Sequence, residues 1–549
     1  MKRVFTLLLL LGVIMSSMAQ VAHNKYWVQF TDKNGSPYSI DNPGEYLSER
    51  ALERRQAYGI SIDEYDIPVN PSYLEAVAAT GATILNPSKW LNGVTVQTSD
   101  PSVITAIEAL SFVEGTRGCF DDPYKQVIKE KTFFAEEFLR PIDNDVKSIN
   151  DYYGYAYPQI SQLNGIELHN LGYRGEGMLI GVCDGGFDGA DTHDAFKQII
   201  DDGRLLGTYN FVDKNTNVWH SSTHGTNVWG LMGGNVPDTY VGTAPMATYF
   251  LCMTEDVDSE NVIEEYNWVS AMELLDSLGV DVVNTSLGYI TFDMPQWDHT
   301  YIDLDGKTAV ITIGSEIACS RGILCVSSAG NEGGTSFPYI SVPADGEQTF
   351  TIGAVGANGQ RAYFSSIGPT YDGRIKPDVM AHGYGTSVPS YGNSYYEGSG
   401  TSFSSPVMAG MVACLWQARK DKSPDVIRDI IRQSANRVDN PDNEYGYGIP
   451  DMMLALDLLA QEEIVVKDQN SMISVYPNPS NGDVNVTINT NENVVVRIYN
   501  QLGQVIYVFD SHKDNVYMLE HALSTIGEGV YLLNIIDEIS SQTIKYVKY

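Results

Sequence analysis

The chain has 549 residues and a formal net charge of −35 at pH 7, with 43% hydrophobic and 19% charged residues. That length exceeds what one hydrophobic core holds, so roughly three or four domains are expected. A surface this acidic repels phosphate and excludes a nucleic-acid partner, while the apolar-to-charged balance is that of ordinary soluble globular domains.

Residues 1–19 start with MKR, continue as VFTLLLLLGVI and close on SSMA. A basic start, a short apolar run and a small-residue exit describe a secretory signal peptide, cut near Ala19–Gln20. The run is too short to span a bilayer, and no later stretch is apolar enough for a membrane helix. Residues 20–148 combine strand-like runs (YWVQF, NGVTVQT) with a charged helical run (EYLSERALERRQAYG), so an α+β segment is expected there. The turn-rich patch EEFLRPIDNDVKSIND marks its end.

Residues 149–461 have a different texture. Short apolar runs close on small or polar residues: MLIGVCD, TYFLCMT, VDVVNTSLG, GILCVSSAGN and TFTIGAVG. Such runs fit strands buried on both faces of a parallel sheet. Helical patterns lie between them. One starts at Asn261, carries Val262, Tyr266, Val269 and Met272 on one face, and stops at Gly279. Alternating strands and helices predict an α/β domain, with its site beyond the carboxyl ends of the strands. Residues 462–472 read as a short polar link. Residues 473–549 hold VNVTI, VVVRIY, QVIYVF, VYLLNII and TIKYVKY between turns, the pattern of a small all-β sandwich. Six cysteines (Cys119, Cys183, Cys252, Cys319, Cys325, Cys414) are few for an exported chain and mostly have apolar neighbours, so buried thiols are expected. Cys319–Cys325 is the one pair close in sequence, and its state stays open.

The stretch GSGTSFSSPVMAG, 398–410, leads small residues into an apolar helix. Ser402 falls at the helix entrance, where the dipole favours an anion, and its backbone N–H is an oxyanion donor. Ser404 and Ser405 fall deeper in the first turn and face away. Pro406 is expected in that same turn and is tolerated there, because the first turn's N–H groups need no intrahelical partner. A nucleophilic serine needs a base, and THGTNVWGLMGG supplies His224 at a second helix start. The imidazole needs an orienting acid, and MLIGVCDGGFDG ends a buried strand with Asp184. Asp188 is its local rival but lies in a glycine turn. CVSSAGNEGG ends another strand with Asn331, whose side-chain amide is a second oxyanion donor.

The order Asp, His, Ser and the motifs DGGFDG, HGTNVWG, NTSLG, APMA, SSAGNEGG, FSSIGP, KPDVMA and GTSFSSPVMAG resemble the subtilase family over roughly residues 150–460. The resemblance implies a subtilisin-like, mainly parallel sheet flanked by helices. It implies a secreted serine endopeptidase acting through an acyl-enzyme, with Asp184, His224 and Ser402 as triad and Asn331 as oxyanion donor. Ser286, Leu287, Gly288, Ala329 and Gly330 are the implied substrate-binding residues. Gly185 stands where the family has Ser or Thr, and Phe403 where it has Met; neither departure removes a reacting group. No cofactor is needed for the chemistry. Asp303 and Asp305 in DLDGKT are candidates for a structural calcium, against the alternative of plain turn duty.

The flanking segments extend this reading. The first is sized and placed like a propeptide. The tail, with VYPNPSNGDV, YNQLGQVIY, GVYLLNI and IKYVKY, resembles the C-terminal sorting domain of the type IX secretion system. That resemblance implies transport across both membranes of a Gram-negative bacterium to the surface or medium, with the secretion machinery as a partner. Polypeptides are the expected substrates and a monomer the expected state. The rival reading, an adhesin on the same fold, is disfavoured by the intact reacting residues.

Overall fold

A computed structural model describes residues 25–120, 140–142, 152–466, 473–476, 480, 484–488, 494–500, 504–511, 516–536 and 541–548. The leader-like residues 1–19 and residues 467–472 of the expected link lie outside the described residues. Contacts divide the chain into two units, one up to Leu456 and one from Asp457.

The first unit begins with a four-stranded antiparallel sheet in the order Thr83–Ser88, Gly93–Gln97, Lys25–Phe30, Val113–Phe120. Three helices accompany it, and each starts on a capping side chain. Ser48 accepts from the Ala51 amide, Asn70 from Ser72 and Asp100 from Ser102. Pro71 and Pro101 follow two of these caps, where a missing N–H costs nothing. One face of the sheet packs Val28, Phe30, Val94 and Val96 against Val77 and Ile107 of its own helices. The other face contributes Trp27 to the core of the larger domain, its ring stacked 4.7 Å from Tyr266. Burial on both faces explains why this segment and the larger domain form one unit.

The larger domain is built on a seven-stranded parallel sheet. Its order is Val379–His382, Phe350–Val355, Leu324–Ser328, Val282–Thr285, Leu179–Asp184, Thr248–Met253, Leu205–Asn210. Five of these strands are the apolar runs read from the sequence. The edge strands Leu205–Asn210 and Val379–His382 were not anticipated; the first is only partly buried and carries no continuous apolar run. The helix expected from Asn261 runs Ile263–Leu278, with Gly279 at φ +81° closing it. Its entrance is held by Glu264, whose carboxylate accepts from the Asp256 and Asn261 amides at 2.7 and 3.0 Å. The helix Thr401–Ala418 is buried on every side from Thr401 to Trp416, its run Val407–Trp416 apolar throughout and its first residues mostly polar. All six cysteines are free and buried, Cys319 and Cys325 included.

Two expectations need correction. The polar link does not start at 462, because the helix Met452–Val466 continues through the first five of its positions. The tail is not all-β either. It has a four-stranded antiparallel sheet, in the order Val505–Ser511, Val494–Tyr499, Gly529–Ile536, Ser541–Lys548, and a two-stranded ribbon of Ile473–Tyr476 with Asn485–Ile488. A helix, Val516–Thr525, completes it. Leu519, Ala522 and Leu523 share one helical face and bury it against Val496, Ile498, Leu533, Ile535 and Tyr546. Among the described residues no helix is long and apolar enough to cross a membrane.

The contact between the first segment and the larger domain holds a buried ion cluster. Asp276, on the helix Ile263–Leu278, meets three cations of the first segment: Arg54 at 2.5 Å, Arg55 at 3.0 Å and Lys89 at 3.2 Å. Arg55 also pairs with Asp66 at 2.7 Å, and Arg54 donates to the Val280 carbonyl. One turn earlier, Glu273 accepts from the Ser88 hydroxyl at 2.5 Å and from the Lys89 and Trp90 amides. Burial alone raises the Asp276 carboxyl, but Lys89, Arg54 and Arg55 outweigh it and hold its pKa below the usual carboxylate value. Burial does prevail at Glu273, whose pKa is raised despite Lys89 and its hydrogen-bond donors.

Removing one partner of such a pair strands charge in a dry site. In a precursor that keeps both segments, Asp276→Asn is expected to lower stability by about 3–5 kcal/mol, read from urea unfolding. A depressed carboxyl pKa stabilises above its unfolded value of 3.8 and loses that contribution as pH falls through the folded value. The gap between parent and Asp276→Asn should therefore close on strong acidification; a gap that stays constant from pH 7 downward contradicts the ion cluster.

Candidate active site

Because the sheet is parallel, the carboxyl ends of its strands share one edge. Asp184 is the last residue of Leu179–Asp184, and Ser286 follows Val282–Thr285. Asn331 lies three residues beyond Leu324–Ser328. Two helices start at this edge. His224 is the first residue of His224–Gly233, and Ser402 is the second of Thr401–Ala418.

Asp184 and His224 are buried and directly bonded. The imidazole Nδ1 lies 2.9 Å from each Asp184 carboxylate oxygen. The aspartate is itself held, its Oδ1 accepting from the Gly185 amide at 2.8 Å. The Ser222 hydroxyl accepts from the His224 amide at 3.0 Å and so fixes the helix start. The glycines of both motifs have a steric cause. Gly186 sits at φ +138°, and a Cβ there would come 2.1 Å from the His220 carbonyl oxygen. A Cβ on Gly225 would come 2.3 Å from the Gly186 carbonyl oxygen, whereas the bare residue donates its amide to that same oxygen at 3.1 Å. The two loops thus touch backbone to backbone, which brings the histidine to the aspartate.

Ser402 is buried, and the ring of the next residue, Phe403, stacks 6.1 Å from the His224 imidazole at 26°. The neighbouring serines are engaged elsewhere. Ser404 donates to the Thr401 carbonyl at 2.9 Å and Ser405 to Asn284 Oδ1 at 2.8 Å. Asp188 joins the loops through its backbone, its amide donating to Ser222 and its carbonyl accepting from Thr226.

Asn331 is oriented by Thr401, the residue before the serine. The Thr401 amide and hydroxyl both donate to Asn331 Oδ1, each at 2.9 Å, and the Gly330 amide donates to the Thr401 hydroxyl at 3.1 Å. With Oδ1 bound to the helix start, Nδ2 is the end of the amide left to donate to a substrate oxygen. Thr401, Ser222 and Asn284 were not singled out from the sequence as site residues. Their signal was present only as membership in GTS, STHGT and NTSLG: Thr401 and Asn284 act through partners 70 and 121 positions away, and Ser222 through the helix start two residues on. Gly288 and Gly330 approach one another's surroundings closely, because a Cβ on either would meet the Ser341 hydroxyl, at 2.3 and 3.1 Å.

The expectation about Pro406 is corrected. The helix begins at Thr401, so Pro406 is its sixth residue and lies beyond the first turn. An amide at that position would donate to the Ser402 carbonyl, and proline has none. Ser286 donates to that carbonyl instead, at 2.8 Å.

Asp303 and Asp305 each close a local turn. Asp303 accepts from the Thr300 amide and hydroxyl in a capping box, and Asp305 accepts from the Lys307 and Thr308 amides. Both carboxylates thus have the turn duty weighed from the sequence. Among the described residues the carboxylates that converge are Glu255, Glu260 and Glu264, with oxygens within 4.8 Å of one another. Tyr289 donates to Glu255 at 2.7 Å, beside the segment Ser286–Gly288.

The subtilase family matches residues 175–448, the peptidase S8 propeptide domain of Bacteroidota matches 25–132, and the secretion system C-terminal sorting domain matches 474–549. Subtilisin NAT of Bacillus subtilis subsp. natto is 30% identical over 314 residues, 56% of this chain and 74% of the relative. A subtilisin of Bacillus pumilus is 30% identical over 280 residues, 50% of this chain and 90% of the relative. Serine protease AprX of Bacillus subtilis is 28% identical over 337 residues, 56% and 71% of the two chains. The chain belongs to the subtilase family of serine endopeptidases, with a propeptide domain before the protease domain and a secretion sorting domain after it.

Proposed function

We propose that the protein is a secreted endopeptidase, made as a zymogen, in which Ser402, His224 and Asp184 hydrolyse peptide bonds through an acyl-enzyme. The observation that carries this reading is the pair of 2.9 Å contacts between His224 Nδ1 and the buried Asp184 carboxylate. That bond fixes the tautomer with Nε2 as the base and stabilises the imidazolium when it forms. His224 takes the Ser402 hydroxyl proton as Oγ attacks the scissile carbonyl. The tetrahedral oxyanion is met by Asn331 Nδ2 and by the Ser402 amide at the helix N-terminus. His224 then protonates the leaving amine, the acyl-enzyme forms, and water repeats the sequence to release the acid. Ser286, Leu287, Gly288, Ala329 and Gly330 border the cleft as the substrate-binding segments.

A fluorophosphonate is expected to label the parent enzyme at Ser402. Ser402→Ala should lose labelling and hydrolysis while staying folded and retaining the first segment, if removal of that segment is self-catalysed. The pairing of Arg140–Pro141 with the strand Ser394–Ser399, which leads straight to the nucleophile, supports a processing position before Arg140 rather than near 148. A mature N-terminus beyond Ile142, found by mass spectrometry, would count against that boundary. Asn331→Ala should lower kcat by about 10²–10³-fold with little change in KM, because only the transition state carries the charge it meets. A raised KM at unchanged kcat contradicts that role.

The sorting domain supports export to the cell surface or the medium, with the secretion machinery as partner and polypeptides as substrates. No member of the proposed triad lies in the tail. A chain ending at Gln461 is therefore expected to keep activity but to accumulate in the periplasm; normal export of the truncated chain, seen by fractionation, would remove the address role.

A further inference from the structure

The segment carrying Ser402 is tied to the sheet by a short hydrogen-bonded circuit. Ser405 donates its hydroxyl to Asn284 Oδ1 at 2.8 Å, Asn284 Nδ2 donates to Ser286 Oγ at 2.9 Å, and the Ser286 hydroxyl donates to the Ser402 carbonyl at 2.8 Å. All four residues are buried. The direction of each bond is set. Ser405 occupies the asparagine oxygen, so the amide turns its Nδ2 to Ser286; that donation fills an acceptor site of Ser286 Oγ, so the serine proton goes to Ser402. The need for the circuit comes from Pro406, which removes the amide that an uninterrupted helix would offer to the Ser402 carbonyl. A buried carbonyl without a donor is costly, and here the donor comes from the strand end rather than the helix.

We propose that Ser286, braced by Asn284, is a positioning residue for the nucleophile: it replaces the helix bond lost to Pro406 and so fixes the first turn that presents Ser402 Oγ and the Ser402 amide. This role is separate from the substrate contact of the Ser286–Gly288 backbone and rests on Ser402 being the nucleophile.

The test is a double-mutant comparison on the processed enzyme, reading kcat and KM for a peptide p-nitroanilide, the fluorophosphonate labelling rate, and thermal unfolding. Ser286→Ala is expected to lower kcat and the labelling rate about 10–100-fold, since small displacements of a nucleophile carry losses of that order, with KM within about threefold. Pro406→Ala restores an amide facing the Ser402 carbonyl. Added to Ser286→Ala, it should recover most of the lost rate, so the serine matters far less in that background. Equal losses in both backgrounds, or a raised KM at unchanged kcat, overturn the proposal. Should Ser286→Ala not fold, Ser286→Cys, with similar volume and a weaker donor, makes the same comparison. Mass spectrometry of the labelled parent separates the two levels: an adduct absent from Ser402 overturns the nucleophile, whereas an adduct at Ser402 formed at an unchanged rate in Ser286→Ala overturns only the positioning role.

Discussion

The common direction of the seven central strands is the constraint on which the rest of the site depends. In register, Thr285 lies opposite both Cys183 and Ser327, and Asp184 lies opposite Met253. Asp184, Ser286 and Ser328 therefore leave the sheet at one level, and the loops that follow them open on the same edge. In a parallel sheet this edge also receives the starts of the crossover helices. The helices starting at His224 and Thr401 bring their positive dipole ends to the place where Asp184 and Asn331 leave the sheet, and their first amides are held there by Ser222, Gly186 and Asn331. Asp184, His224 and Ser402 come from three separate stretches, and the sheet edge is what brings them to one place.

At that edge packing is polar, although the core around it is apolar. The helix behind Ser402 is buried throughout, yet its first turn holds Thr401, Ser402, Ser404 and Ser405. Besides Ser402, each of these hydroxyls has structural duty: Thr401 orients Asn331, Ser404 closes its own turn, and Ser405 anchors Asn284. Buried polar groups of this density are tolerable only when satisfied, and full satisfaction leaves a single arrangement. Rigidity at the reacting centre thus follows from the cost of unmade hydrogen bonds rather than from tight apolar packing alone.

The contact of the first segment with the protease domain follows a different logic. Its apolar part is the Trp27 stack on Tyr266, and its polar part is one aspartate facing three cations. A cluster of this kind adds little net stability compared with apolar residues of the same volume, but it penalises any partial separation that leaves Asp276 or Glu273 dry and unpaired. That behaviour suits a segment held in place until its connection is cut. Removal of the segment would let water reach both carboxylates and so lift the penalty.

Much of this was legible in the chain itself. Buried strands announced themselves as apolar runs closed by small residues, and the helix stop at Gly279 followed from the left-handed conformation that glycine alone adopts without strain. Asp184, His224, Asn331 and Ser402 could be singled out because each closes a strand-like run or opens a helical one, and the structure places them at strand ends and helix starts. The tail helix was hidden among β-rich runs, since ten residues with Leu519, Ala522 and Leu523 on one face carry a weak periodic signal. The continuation of the helix through 462–466 was equally hidden, because polar residues do not by themselves end a helix. What sequence determined was the inventory: which chemistry-bearing side chains stand at strand ends and helix starts, which glycines must be glycines, and where elements start. What only the tertiary structure decided was who serves whom. That Ser286 answers for Pro406, that Thr401 turns Asn331 and that Asp276 is matched by Arg54, Arg55 and Lys89 are pairings between residues 70 to more than 200 positions apart. No local propensity encodes such partners, because a hydrogen bond is specified by position in space and the parallel sheet sets those positions.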